Sequence, residues 1–223
     1  MSKKEYQKLD KLYDKFYELH THLHNIEKNY HNSLIFRTHY NSFLSTYNSI
    51  IKQIDYSLQN SNYLNSYKSL KNSFLKNFLI EKNKKRRDII NHKEELKLDS
   101  SSFMCLIKNK KTYDIKIKLF ISNSLLDSDE LIIKILQNID FYYQIFMEDE
   151  DYYLCIYREW KIESNCILTE VRELLSIMGS FIHDIYLLTN FCNNKIIFTL
   201  DCIPLINSIK YKFYDRNELK KLI

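Results

Sequence analysis

The sequence predicts a mainly α protein, an antiparallel helical bundle with a small antiparallel β accessory drawn from residues 103–121 and 195–214. Three observations support this fold class. The 223 residues include only one Gly and one Pro, whereas folds with many tight turns need residues that tolerate a positive φ. Apolar residues recur at three- and four-residue steps through the N-terminal third, which is the helical period. A central segment instead alternates apolar and charged residues, as a half-exposed strand does.

Three amphipathic helices are predicted in succession, and the short breaks between them favour an antiparallel bundle. The apolar face of the first carries Leu9, Leu12, Tyr13, Phe16, Leu19, Leu23, Ile26 and Tyr30. The face of the second carries Phe36, Tyr40, Phe43, Tyr47, Ile50, Ile51 and Ile54. After a polar break over residues 59–62, the face of the third carries Tyr67, Leu70, Phe74, Phe78 and Leu79.

The pattern changes beyond Asp99. Residues 113–119 alternate apolar and charged side chains and follow the apolar segment 103–107, which predicts a β-hairpin. Helical spacing returns after Asp127, which has Glu130 three residues later, the sequence signature of a capping box. A further apolar helix is predicted over residues 167–185.

The C-terminal part offers two more strand candidates, residues 195–201 and 209–213, on either side of Pro204. No Gly-, Pro- or Ser-rich linker interrupts the chain. We therefore predict one domain over residues 1–223, with a β-hairpin insertion at about 101–122 and a C-terminal β extension at about 195–223.

Charge and composition narrow the classes of protein. The 33 basic and 28 acidic side chains give a net charge of +5, which permits nucleic-acid binding without requiring it. No apolar run is long enough to span a membrane, and the N-terminus lacks the apolar core of a signal peptide, so we expect a cytoplasmic protein without a membrane partner. The cysteines form no CxxC pair, which favours reduced, small buried hydrophobes over zinc ligands; they are Cys105, Cys155, Cys166, Cys192 and Cys202.

The candidate catalytic residues lie in one basic segment after the third helix. Arg87 and His92 enclose four residues, and Asp88 directly follows the arginine. Histidine is suited to proton transfer near neutral pH, and arginine offers a permanent cation with a planar donor fork for a phosphodiester. Asp88 would orient one of them or accept a hydrogen bond from a ribose hydroxyl. A general base and a cation for the phosphate are the kinds of group that cleave RNA without a metal or another cofactor.

The residues beside this motif are the candidate RNA-binding set. It comprises Lys84, Lys85, Arg86 and Asn91. The alternative interpretation of the basic segment is a helix C-terminus whose cations favour the macrodipole.

Here the sequence resembles the HEPN superfamily (higher eukaryote and prokaryote nucleotide-binding domains), whose helical bundles carry an Arg-polar-x-x-x-His signature. The matching residues are Arg87-Asp88-Ile89-Ile90-Asn91-His92, directly after three amphipathic helices. Residues 34–44 resemble the second helix of some bacterial HEPN families. Residues 151–188, with Trp160 ahead of an apolar helix, resemble their closing segment.

The resemblance implies a homodimer that cuts single-stranded RNA without metal, in a defence or toxin context, with a possible protein antitoxin or defence partner. It makes His92 the general base or a phosphate contact, Arg87 the phosphate cation and Asp88 the polar orienter. Members paired with a nucleotidyltransferase antitoxin often have Tyr two residues after the His, where this chain has Glu94. That subtype is therefore not expected, and many members have lost catalysis.

Simpler interpretations stay open for several of these residues. Arg87 and His92 would also suit a structural pair that holds a helix terminus. His20 and His24 stand one helical turn apart, but without a third ligand they fit helix-surface histidines better than a metal site. The acidic run 148–151 fits a solvated loop, and the 18 tyrosines fit packing first, with RNA stacking on a few of them as the alternative. The alternative function is a non-catalytic helical module for dimerisation or for protein or RNA binding.

Overall fold

The structure of the protein is a computed structural model that describes residues 3–91, 98–108, 112–119, 126–137, 152–190 and 206–222. Within these ranges, side chains are described for residues 9–89, 98–104, 126–137, 153–190 and 208–222. The described chain is mostly helical with one small antiparallel sheet, which agrees with the predicted fold class at this level. None of the described helices combines the length and apolarity that crossing a bilayer requires.

Four helices come first along the described chain, and strands and helices are interspersed after them. The helices are α1 (Lys3–Lys28), α2 (Ser33–Leu58), α3 (Leu64–Leu75), α4 (Phe78–Asn91), α5 (Ser128–Leu136), α6 (Ile167–Thr189), α7 (Ile206–Ile209) and α8 (Arg216–Leu222). The strands are β1 (Asp99–Lys108), β2 (Thr112–Leu119), β3 (Tyr152–Ile162), β4 (Asn165–Cys166) and β5 (Tyr211–Tyr214).

Contacts divide the chain into two compact units, each built from three separate segments. Unit 1 consists of Met1–Ile26, Thr38–Leu96 and Thr169–Cys202. Unit 2 consists of Glu27–Arg37, Lys97–Leu168 and Ile203–Ile223. The single domain over residues 1–223 stays a prediction from the sequence.

Unit 1 is helical and buries the apolar faces that the periodicity predicts. Core side chains of α1 and α2 in this unit that are at most 2% exposed are Leu9, Leu12, Leu19, Leu23, Ile26, Tyr40, Phe43, Leu44, Tyr47, Ile50, Ile54 and Leu58. These two helices run antiparallel, because His22 lies against His39 and Glu18 against Thr46. Helix α6 completes the packing.

Helix α6 packs against α3 and against α1. Phe181 stacks on Phe74 of α3 with ring centroids 3.9 Å apart. The Tyr186 hydroxyl donates a hydrogen bond to the Leu9 carbonyl of α1 at 3.3 Å. Stacked aromatic rings add to the free energy of burying their surface.

The predicted third helix is wrong in one respect, since it is two helices with a break at Lys76 and Asn77. The Asn77 side-chain oxygen accepts a hydrogen bond from the Leu79 amide at 2.9 Å, and its backbone oxygen accepts from Ile80 and Glu81. Asparagine is favoured before a helix because its side chain satisfies an amide that has no intrahelical partner. Phe78, assigned by periodicity to the apolar face, is consequently 72% exposed.

Unit 2 is built around an antiparallel sheet in which β3 is central. Strand β1 pairs with β2 and with β3, and β3 also pairs with β4 and β5. The predicted hairpin is therefore β1–β2, and the predicted strand at 209–213 is β5, shifted to Tyr211–Tyr214. The other C-terminal strand candidate, 195–201, lies outside the described residues.

Strand β3 is the largest of the elements that the sequence analysis did not predict; the others are β4, α7 and α8. Trp160 does precede the apolar helix α6, as expected for residues 151–188, but it lies within this strand. The buried alternate positions of β3 are Leu154, Ile156, Arg158, Trp160 and Ile162, and Cys155 is buried on the other face. The charge of Arg158 at an inward position and the aromatic residues on the other face obscure this alternation in the sequence.

A cluster around Trp160 joins β3 to the chain segment between α1 and α2. The Trp160 indole N–H donates to the Tyr30 carbonyl at 2.8 Å, and Phe36 stacks on the indole with centroids 4.7 Å apart. The Arg158 guanidinium lies 3.9 Å from the centre of the same ring, a cation–π contact. The buried charge of Arg158 thus has an aromatic face against it.

His31 and Asp127 complete this junction. His31 makes hydrogen bonds through Nδ1 to the Ser128 hydroxyl at 2.8 Å and through Nε2 to the Ile209 carbonyl at 3.0 Å. Asp127 Oδ1 accepts from the Ser33 amide at the start of α2 at 2.6 Å. The predicted capping pair begins α5, since the Asp127 amide donates to Glu130 at 2.7 Å.

Burial lowers the pKa of His31 to about 4, although the hydrogen bond to the Ile209 carbonyl acts in the opposite direction. The charges of Arg158 and Lys212 contribute to this lowering of the pKa, and that of Asp129 opposes it. The folded protein therefore holds this imidazole neutral near pH 7. Protonation favours the unfolded chain, in which the histidine pKa is near 6.5.

We expect the free energy of unfolding to decrease as the pH falls from about 6.5 to about 4, by up to about 3 kcal/mol from His31 alone. The loss arises because the unfolded state binds a proton that the folded state excludes. Urea titrations across this range measure it. His31→Gln should be less stable at pH 7 and show a smaller pH dependence, whereas His183→Gln, at an exposed position of α6, should keep the wild-type dependence. An identical dependence in His31→Gln and wild type would contradict the assignment.

Candidate functional site on helix α4

The predicted motif lies on α4, a helix that begins immediately after the Asn77 cap. Glu81 in its first turn complements the helix dipole and forms an ion pair with Lys85 at 2.8 Å, one turn later. Its buried positions recur three residues apart, at Ile80, Asn83 and Arg86. The buried face of α4 is therefore partly polar, which is unusual for a helix packed in a core.

The basic residues of α4 are divided between a buried and an exposed set. Arg86 is 3% exposed, and its Nη1 donates to Glu170 Oε2 at 2.5 Å. Lys82 Nζ donates to the other oxygen of Glu170 at 3.0 Å. The Tyr40 hydroxyl lies 3.4 Å from Arg86 Nη1. Two cations thus share one carboxylate of α6, with at most 11% of any of these three charged side chains exposed.

Arg86 was expected on the RNA-binding surface, and its position is instead in the interior of unit 1. Its guanidinium is held by Glu170. The signal that sequence reasoning overlooked is Glu170 itself, a carboxylate at helical spacing among the apolar residues Ile167, Val171 and Leu174. An acid on an apolar helix face indicates a buried cation as its partner.

Arg87, one residue further along, keeps 21% of its side chain exposed. Its Nε donates to Asp88 Oδ1 at 3.1 Å, and its Nη2 donates to the same oxygen. Asp88 is 45% exposed at the side chain. The predicted cation and its predicted orienter are therefore in contact, and Nη1 of the guanidinium takes no part in this bond.

The structure describes only some of the remaining predicted site residues. Lys84 and Lys85 are exposed on α4. Asn91 is the last residue of α4, and its side chain lies outside the described residues. His92, the predicted general base, also lies outside them, as does Glu94. The described site is therefore a cationic helix surface formed by Lys84, Lys85 and Arg87, with Asp88 beside it.

Other histidines of unit 1 form pairs on α1 and α2. The rings of His20 and His24 are 4.3 Å apart, edge to face, and those of His22 and His39 are 5.8 Å apart. Burial lowers the pKa of His22, against the opposing effect of Glu18, whose carboxylate lies 3.9 Å from Nε2. Among the described residues, no group of three or more His, Cys, Asp or Glu side chains is arranged to hold a metal ion.

An open groove of about 290 Å³ lies between α3 and α6 in unit 1. Its lining includes apolar and serine side chains, among them Phe74, Phe181 and Ser176, with Asp184 as the ionisable residue. A single carboxylate provides no acid–base pair, so this groove offers less chemistry than the surface of α4.

No family model matches the sequence, and neither the curated proteins nor the solved structures include a match.

Removing the charge of Glu170 should strongly destabilise the protein. Glu170→Gln removes the carboxylate that Lys82 and Arg86 both contact, and breaking such a buried pair costs about 3–5 kcal/mol. The matched control is Glu173→Gln, an exposed acid on the same helix, for which we expect a change within about 0.5 kcal/mol. Urea unfolding monitored by circular dichroism measures both, and equal stabilities of the two variants would contradict this role of Glu170.

Proposed function

We propose that this protein is a metal-independent endoribonuclease of the HEPN type that cleaves single-stranded RNA, in a defence or toxin context. The observation that carries the proposal is that Arg87, the arginine of the signature, keeps 21% of its side chain exposed on α4, whereas only 4% of the side chain of its neighbour Arg86 is exposed. Partial exposure of the signature arginine supports a role in contacting a phosphodiester.

The roles follow from the chemistry of RNA cleavage without a metal. His92 accepts the proton of a ribose 2′-hydroxyl, whose oxygen then bonds to phosphorus and displaces the 5′-oxygen. The leaving oxygen takes a proton from a second general acid or from water, and the products carry a 2′,3′-cyclic phosphate and a 5′-hydroxyl. Arg87 stabilises the charge that develops on the phosphate oxygens.

Asp88 supports the action of Arg87 by limiting its orientations. A guanidinium held through Nε and Nη2 retains Nη1 as a donor toward a ligand. Lys84 and Lys85, exposed on the same helix, add positive charge for the RNA backbone. Arg86 is buried and is not part of the RNA-binding set in this proposal. In this proposal the protein is a homodimer in which the signatures of the two copies face one cleft. It acts with a protein antitoxin or defence partner.

The second candidate function is a non-catalytic helical module for dimerisation or for protein or RNA binding. The observation that favours it is the ion pair between Arg87 and Asp88, because a carboxylate on the signature arginine reduces its attraction for phosphate. If this alternative is right, the protein does not cleave RNA, and His92→Ala still binds the protein or RNA partner.

Purified protein should cleave single-stranded RNA in the presence of EDTA. His92→Ala and Arg87→Ala should each reduce the rate by about 10²–10⁴-fold, the usual contribution of a general acid–base group or a charge-stabilising donor. The measurement is the cleavage rate of a labelled oligonucleotide, with product ends identified by mass spectrometry. Lys52→Ala, which removes an exposed cation of α2 outside the predicted RNA-binding set, is the control and should retain wild-type activity.

Circular dichroism must show unchanged helicity in all three variants. Overexpression of the wild type should slow growth, and overexpression of His92→Ala should not. Activity abolished by chelation, or full activity in both His92→Ala and Arg87→Ala, would overturn the nuclease proposal.

A further inference from the structure

One face of the sheet in unit 2 carries aromatic rings from three adjacent strands. Phe103 of β1 is paired with Tyr157 of β3, which is paired in turn with Tyr211 of β5. Phe213 lies two residues beyond Tyr211 and is paired with Cys155. Directly paired residues point to the same side of a sheet, and residues two apart on one strand do so as well. We call these four rings, of Phe103, Tyr157, Tyr211 and Phe213, the aromatic sheet face.

The rings of the aromatic sheet face form a continuous row. Phe103 and Tyr157 are stacked with centroids 4.4 Å apart, Tyr157 meets Tyr211 edge to face at 5.1 Å, and Tyr211 lies 6.5 Å from Phe213. Phe213 is 52% exposed, and the other three rings are half-buried. Phe103 and Tyr211 pack against Cys155, which is fully buried on this face, whereas Phe213 stays 52% exposed beside it. Core packing therefore accounts for two of the rings and leaves the exposure of Phe213 unexplained.

Positive charge lies beside these rings. Lys161 and Lys210 both form ion pairs with Glu159, so the three side chains together carry a net charge of +1. Lys210 Nζ also lies 5.9 Å from the centre of the Tyr157 ring. Burial alone would raise the pKa of Glu159, but the hydrogen bonds from both lysines lower it below its usual value.

We propose that the aromatic sheet face binds single-stranded RNA by stacking of the bases on its rings, with the neighbouring lysines contacting the phosphates. Stacking on an aromatic ring requires unpaired bases, because the bases of a duplex already stack on one another. The lysines favour a polyanion over a purely apolar partner such as a second copy of the sheet. This inference deepens the proposed function, since it gives the nuclease a surface that selects single strands.

The test measures binding separately from cleavage. The full-length protein is titrated against fluorescein-labelled 2′-O-methyl oligoadenylate of about 12 nucleotides, which lacks the nucleophilic hydroxyl and cannot be cleaved. Fluorescence anisotropy gives the Kd, and the same measurement is made with 2′-O-methyl oligouridylate and with a blunt RNA duplex. We expect oligoadenylate to bind more tightly than oligouridylate, because purines stack better, and the duplex to bind weakest.

Substitutions of Phe213 separate stacking from apolar contact. Phe213→Ala should weaken oligoadenylate binding by roughly 5-fold to 100-fold, the usual effect of removing one stacking ring. Phe213→Leu keeps apolar area without a ring and should lose nearly as much, whereas Phe213→Trp should bind at least as tightly as wild type. The matched control is Tyr17→Ala on α1, where the ring is 63% exposed, and it should leave the Kd unchanged.

Glu159→Gln provides an independent test of the lysine contacts. Removing this carboxylate releases Lys161, whose side chain is 36% exposed, for phosphate contact, so RNA binding should become tighter and more salt-dependent. Thermal melting must show that the variant is folded. A merely structural role of Glu159 would give the same Kd or a weaker one, and that result would contradict the arrangement.

The two proposals fail by different results. Loss of cleavage in His92→Ala with the Kd of oligoadenylate unchanged leaves both standing, while Phe213→Ala with wild-type Kd overturns the stacking proposal alone. Binding of the duplex as tightly as oligoadenylate would also overturn it. So would a lower sedimentation coefficient of Phe213→Ala with unchanged RNA binding, since that result identifies the face as an interface between copies of the chain.

Discussion

The ion pairs of Glu170 determine how α4 is turned about its own axis. A buried cation without a counter-charge is costly, so Lys82 and Arg86 must both face the carboxylate on α6. Successive helical residues point about 100° apart, which directs the neighbouring Arg87 away from that interior. The chemistry proposed for the surface of α4 thus depends on a charge that takes no part in it. Glu170 acts as a positioning residue, and its effect on activity would be indirect.

Unit 2 is organised by polar contacts that join distant parts of the chain. The indole of Trp160 and the imidazole of His31 each reach a backbone carbonyl, and Asp127 reaches the first turn of α2. Such bonds satisfy groups at helix ends and chain crossings that regular secondary structure leaves unpaired. The sheet consequently has two different faces. One is part of a core with a buried cation–π pair, and the other carries the exposed ring of Phe213.

Sequence periodicity was sufficient for the elements whose burial follows a simple rule. The pattern correctly predicts the buried faces of α1 and α2, the capped start of α5, the long apolar α6 and the hairpin β1–β2.

Periodicity failed where a buried position is polar. Arg158 hid the alternation of β3, and in the basic run of α4 no pattern separates buried Arg86 from accessible Arg87. The break before α4 was missed because the side-chain hydrogen bond of Asn77 causes it, and the spacing of apolar residues carries no information about such a bond. The pairing of Phe103 with Tyr157 and of Tyr157 with Tyr211 depends on strand register, which a single sequence does not specify.

The placement of Asp127 also bears on how unit 2 opens. One carboxylate serves the first turn of α2, through Ser33, and belongs to the cap of α5. Ser33 and Asp127 lie 94 positions apart in sequence, so opening of either helix start would disturb a residue that the other one uses. Local opening at these two places is therefore coupled, and amide hydrogens in the first turns of α2 and α5 should exchange with solvent as one cooperative group.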